Sequence, residues 1–212
     1  MSDYLSEEEQ LARLRDWWQR HGVSLLVGTV LVVAGIVGWR WYQGHVEERI
    51  LNASDLYAEF LAADGSAREA LAERIVREGE GTAYPAVVLM RQAKEAVAGG
   101  NGAVAEPLLR RALEVASAEE LEDTARLRLA RVLFDNERGD EALAVLGQVR
   151  GAGYRALAAE LKGDVHLSRG ERSLANQSYV TAMSYLSADE QRPVLEMKIA
   201  DTADPNAPPS ES

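Results

Sequence analysis

The side chains best suited to chemistry in this sequence are three histidines, His21, His45 and His166. A zinc or acid–base site on a helix needs two of them at i and i+3 or i+4, and none is so paired. His21 and His45 flank an apolar run and read as interfacial side chains, while His166 falls inside a predicted helix and reads as a packing residue. The chain has no Cys, which excludes a thiolate nucleophile, a disulfide framework and Cys-ligated zinc or iron–sulfur. The glycines of AGGNG and GAG lack the spacing that cradles a phosphate, so they read as turns. The acidic runs Glu7 to Glu9 and Glu119 to Asp123 suit solvated helix starts, where carboxylates complement the macrodipole. With no nucleophile–base pair either, no catalytic residue, cofactor or metal is expected, and the protein reads as a non-enzyme.

What remains is recognition by a surface, and the elements that build it follow from composition. The 212 residues carry 34 acidic against 23 basic side chains, a net charge of -11, which gives no basic stripe for nucleic acid. Aromatics are only 6%, and 33 alanines favour close-packed helices. Residues 22–39 contain no charged side chain, and this run with its flanks is long enough to cross a bilayer core of about 30 Å. Trp17 and Trp18 on one side, and Trp39, Trp41 and Tyr42 on the other, stand where aromatic belts meet the membrane interface. The start of the chain is not basic and no small-residue cleavage site follows, so the run reads as an uncleaved signal anchor. Arg13, Arg15 and Arg20 precede it and Arg40 and Arg49 follow, a three-to-two bias that leans toward a cytoplasmic amino terminus. Gly22, Gly28, Gly35 and Gly38 could admit a partner helix, though no G-x-x-x-G spacing occurs.

Beyond Tyr42 the pattern is helical over 43–63, 66–79, 84–98, 103–116, 119–136, 140–149, 154–168, 171–185 and 190–200, with turn chemistry in GEGTAYP, AGGNG, NERGD, GAG and SRGE. The expected fold is all-α: a single transmembrane helix followed by a tetratricopeptide-like α-solenoid. Its parts are a cytoplasmic segment 1–21, an anchor 22–42, a repeat domain 43–203 and a disordered Pro- and Ser-rich tail 204–212. The repeat shows in small residues twelve apart: Ala93 and Ala105, Ala130 and Ala142, Gly163 and Ala175. Four positions on stand Leu109, Leu146 and Tyr179, and three further Ala112, Val149 and Ala182. Two antiparallel helices touch only where both carry Ala or Gly, and a larger residue four positions later fills the next gap. A partial match, Ala58 with Ala70, reads as an atypical capping unit.

In such arrays the first helix of each pair lines a concave groove. The template puts Val87, Met90, Lys94 and Val97 there, then Thr124, Leu127, Arg131 and Phe134, then Leu157, Glu160, Asp164 and Leu167. Apolar anchors with a charged rim suit a peptide or helix. The competing expectation is that a capping helix over 190–200 packs into the groove.

The membrane exit GWRWYQ at Gly38 to Gln43, the block LRLARV at Leu127 to Val132, and LKGDVHLSRGERSLA resemble the YfgM family of ancillary SecYEG translocon subunits, over roughly residues 12–200. The resemblance implies a bacterial inner-membrane protein with its repeat domain in the periplasm. It also implies as partners the SecYEG translocon, a PpiD-type membrane-anchored chaperone and translocating clients, which it helps pass to periplasmic chaperones. The alternative is an anchored tetratricopeptide adaptor for assembly of another envelope complex.

Overall fold

The computed structural model describes residues 7–187 and 190–203. The predicted tail, residues 204–212, and the first six residues lie outside these. Among the described residues every regular element is an α-helix: α1 Glu7–Ala62, α2 Gly65–Glu78, α3 Tyr84–Ala98, α4 Gly102–Val115, α5 Glu119–Asp135, α6 Gly139–Leu146, α7 Ala152–Ser168, α8 Arg172–Ser184 and α9 Pro193–Thr202. The described chain divides into two units on either side of Arg49 and Ile50.

In the first unit α1 runs without a break through the apolar stretch, which is long and apolar enough to cross a membrane. The expected segments 22–42 and 43–63 are thus parts of one helix. Gly44, at the start of the second, costs about 1 kcal/mol of helix propensity, which does not end the helix. Trp17, Trp18, Trp39, Trp41 and Tyr42 are all exposed, and Trp17 stacks on His21 and Trp41 tilts against His45 at centroid distances of 5.5 and 4.4 Å.

In the second unit the end of α1 buries Ala53, Leu56 and Phe60, the 3–4 spacing of one helix face. Helices then pack in sequence, α3 on α4, α5 on α6 and α7 on α8, with each pair also meeting the next. The small residues of the template do approach closely: Ala93, Ala105, Ala130, Ala142, Gly163 and Ala175 are all buried, with Leu109, Leu146 and Tyr179 beside them. Gly163 leaves no room for a side chain, since a Cβ there would lie 2.3 Å from the Tyr179 ring. Val149 departs from the template because α6 ends at Leu146, and it is only partly buried. Ala58 and Ala70 depart too: both are exposed, and the buried small residues of the first pair are Ala53 and Ala72.

The three units share a turn that the sequence reading placed only approximately. Seven residues after each small position the backbone turns left-handed, at Gly100 (φ 75°), Glu137 (φ 61°) and Gly170 (φ 75°). The next amide then reaches back to close the helix: Asn101 N–H to Ala96, Arg138 N–H to Leu133 and Glu171 N–H to His166. The middle unit makes this turn with Glu137 although Gly139 stands two residues on. Gly139 is needed elsewhere, because a Cβ there would meet Arg169 and Val165 at about 3 Å.

Between units, Asp123 ties α5 to the loop before α7. It is 0% exposed and accepts from the N–H groups of Arg150 (3.1 Å) and Gly151 (2.6 Å), with Arg126 at 2.8 Å. Burial pushes its carboxyl up, but the Gly151 amide, the Arg126 guanidinium and the Arg150 amide together hold it below the ordinary range.

Candidate functional site: the face of the first helices

Helices α3, α5 and α7 are the first members of their pairs and carry the twelve predicted groove residues. Their side chains are not uniformly available. Met90 is only 4% exposed and belongs to the core; its carbonyl, not its thioether, is what Arg128 reaches at 3.4 Å. The physical reason is breadth: α3 is an inner helix that also buries Ala86, Val88, Leu89 and Ala93, so its apolar face extends beyond the template stripe. Val87, Leu127 and Phe134 are half-buried, and Lys94, Val97, Arg131, Leu157 and Leu167 are exposed. Thr124 is half-buried: its hydroxyl donates to the Glu120 carbonyl at 2.7 Å and stands 3.3 Å from the Tyr154 hydroxyl, which can donate to it.

Two cavities lie along this face, on either side of Arg131. The first, about 340 Å³, has Lys94 and Val97 of α3, Leu109 of α4, and Arg128, Arg131 and Asp135 of α5 around it. The second, about 320 Å³, has Leu127 and Arg131 of α5, Leu157 and Glu160 of α7, and Arg192. The structure therefore brings together Lys94, Val97, Leu127, Arg131, Leu157 and Glu160 of the predicted set, while Val87, Thr124, Phe134, Asp164 and Leu167 line neither cavity.

The third unit is occupied from within. Lys198 of α9 places Nζ 2.9 Å from Glu160 and 2.7 Å from Asp164, and Arg192 just before α9 lies 2.7 Å from the other Glu160 oxygen. The Tyr179 hydroxyl donates to Asp164 at 2.9 Å. Burial lowers the Lys198 ammonium, but Asp164 and Glu160 raise it above the ordinary lysine range. Burial, then Asp164 and Glu160, push the Tyr179 phenol well up, which keeps it a donor. Leu195 of α9 is buried against Ala159, Tyr179 and Ala182. The capping helix expected over 190–200 thus forms, at 193–202, and takes up the carboxylates of α7.

Arg128, Asp135, Arg192 and Lys198 were not in the sequence-based set. Arg128 and Arg131 stand at i and i+3, a spacing that puts both on one helix face and could have flagged the first. Arg192 and Lys198 meet Glu160 across more than thirty residues, and nothing local announces that. His166 Nδ1 lies 2.6 Å from Glu171 Oε2, closing the turn into α8.

A helix able to span a membrane, followed by paired helices repeating on a small-residue template, defines a membrane-anchored helical-repeat protein. The profile of the tetratricopeptide repeat-like domain family matches residues 15–204. The chain is 33% identical over 202 residues to a Haemophilus influenzae protein named ancillary SecYEG translocon subunit, covering 94% of this chain and 98% of that one. Proteins of the same name from Aggregatibacter actinomycetemcomitans and Escherichia coli are 28% and 27% identical, covering 91% and 94% of this chain and 96% and 98% of theirs. The chain belongs to this family of ancillary SecYEG translocon subunits.

Proposed function

We propose that the chain is a single-pass, non-catalytic ancillary subunit of the Sec translocon in the bacterial inner membrane. Residues 22–42 form the anchor, residues 1–21 face the cytoplasm, and the repeat domain works in the periplasm. There its groove binds segments of chaperone or client and helps hand translocated chains to periplasmic chaperones, a PpiD-type membrane-anchored chaperone among its partners. The observation that carries this reading is the near-complete alignment with proteins named for that association, joined to a partly open face of apolar and charged side chains.

The test is co-purification from membranes. The full chain is expected to carry SecYEG with it, and a chain lacking residues 1–42 to stay folded and soluble but lose it. Unchanged association without the anchor would refute the tethered reading. A reporter fused after Ser212 is expected to act in the periplasm; a cytoplasmic signal would overturn the orientation and the client-handling role together.

A further inference from the structure

The cavity between α3 and α5 is cationic in a chain whose net charge is -11. Lys94 has no ion-pair or hydrogen-bond partner among the described residues, and Arg128 only the Met90 carbonyl at 3.4 Å. Arg131 has Asp164 at 3.8 Å, a carboxylate already engaged at 2.7 Å by Lys198. Other guanidinium groups of the domain are paired directly, Arg111 with Glu73 at 2.6 Å and Arg138 with Glu106 at 2.5 Å. Three cations with little neutralisation therefore gather over a floor of buried apolar side chains, among them Leu109. One exposed apolar wall, Val97, is 45% accessible. The single acid at this cavity, Asp135, stands one helical turn beyond Arg131.

Resting on the groove reading above, we propose that this face selects an extended acidic and apolar polypeptide segment. One apolar side chain enters the cavity beside Val97, a second enters the cavity beside Leu157, and a carboxylate between them meets Arg131, with Arg128 and Lys94 as its further partners. The spacing follows from the fold. Packed helices lie about 8–10 Å apart, so the crevices on the two sides of α5 are separated by about three residues of extended chain at about 3.3 Å each. A free anion would leave the apolar floors unfilled, and an uncharged apolar ligand would leave the cations unanswered. Asp135 repels a carboxylate at its own end, which fixes the acid toward Arg128 and Arg131. In the second cavity Glu160 is already neutralised by Arg192 and Lys198, so it does not repel an acidic ligand.

The probe is a fluorescein-labelled, end-capped peptide with two leucines three residues apart and aspartate and glutamate between them. Its binding to the full chain in detergent is read by anisotropy at low salt. It should bind about tenfold more tightly than the same peptide with asparagine and glutamine, as losing one charged hydrogen bond implies. Arg131→Glu should abolish that preference and create one for a lysine peptide. Equal binding of acidic and amide peptides overturns the proposal, as does equal competition by a peptide of residues 204–212, which would make the occupant the chain's own tail. Co-purification separates this failure from failure of the groove itself. Val97→Asp and the triple change K94Q, R128Q, R131Q, each checked for an unaltered thermal melt, should both release the PpiD-type chaperone while SecYEG, held through the anchor, stays bound. Loss with Val97→Asp alone leaves the groove standing and removes the acidic selectivity; loss with neither removes both.

Discussion

Replacing Gly163 by Ala tests whether contact between paired helices holds this domain together. The new Cβ would lie 2.3, 2.5 and 2.9 Å from three atoms of the Tyr179 ring, where carbon contacts settle near about 3.5–4.0 Å. The ring would have to retreat by more than about 1 Å, yet it is fully buried and its hydroxyl is held by Asp164. Overpacking of this kind costs about 1–3 kcal/mol, against which alanine returns up to about 1 kcal/mol of helix propensity. A net loss near 1 kcal/mol should lower Tm by about 2–4 °C for a domain of this size. The assay is a circular-dichroism melt of the full chain in detergent, run also in a Tyr179→Ala background. There the obstruction is gone, so Gly163→Ala should be neutral or slightly stabilising. An unchanged Tm in the parent chain, or an equal drop in both backgrounds, would refute the close-approach account.

Asp123→Asn should cost about 1.5–3 kcal/mol, because two amides and Arg126 lose a charged acceptor. The carboxyl is held below its ordinary range in the folded state, so its stabilisation is present above the unfolded value of about 3.9 and lost as pH falls through the folded one. Urea titrations of parent and variant should therefore converge on acidification, and a constant gap would contradict this. Glu137→Gly relieves a left-handed residue at about 1–2 kcal/mol but adds chain entropy, so Tm should rise by about 1–4 °C; a fall would show that the Glu137 side chain matters more than its backbone. Lys198→Ala should speed hydrogen exchange across 193–202 while leaving α3 to α6 protected, and unchanged exchange would mean that Leu195 alone holds α9.

The helix set and the pairing of its members were legible because both rest on local pattern. The twelve-residue offset of Ala93 with Ala105, Ala130 with Ala142 and Gly163 with Ala175 is set by two helices and one tight turn, so sequence distance alone reports it. The same offset misled at Ala58 and Ala70, where an alanine-rich chain supplies matches that face solvent. Met90 was misplaced for a related reason, since a stripe at the groove spacing does not show how wide the buried face of an inner helix is. The turn at Glu137 was obscured because glycine is the usual marker of a left-handed residue, and here Gly139 is kept for packing. A capping helix over 190–200 was expected in the groove, but the ion pairs that hold α9 on α7 were not legible, as Lys198 and Glu160 are joined only by the fold.

The size of the two cavities bears on why such a groove would be carried on a membrane anchor. At about 340 and 320 Å³ they stand at the small end of ligand sites, which run from about 300 to 1,000 Å³. Two apolar anchors and one charged hydrogen bond would supply about 5–9 kcal/mol before the cost of ordering an extended chain, and a millimolar complex needs only about 4. The isolated groove is therefore expected to be a weak binder, near the millimolar range. Tethering groove and emerging chain to one membrane site supplies an effective concentration of that order, so weak affinity suffices for occupancy and still permits release. The repeat domain freed of residues 1–42 should accordingly fail to crosslink a translocating chain at micromolar concentration, whereas the anchored protein should do so in vesicles. Equal crosslinking by the two would show a groove tight enough to need no anchor, and the tethering account would fall.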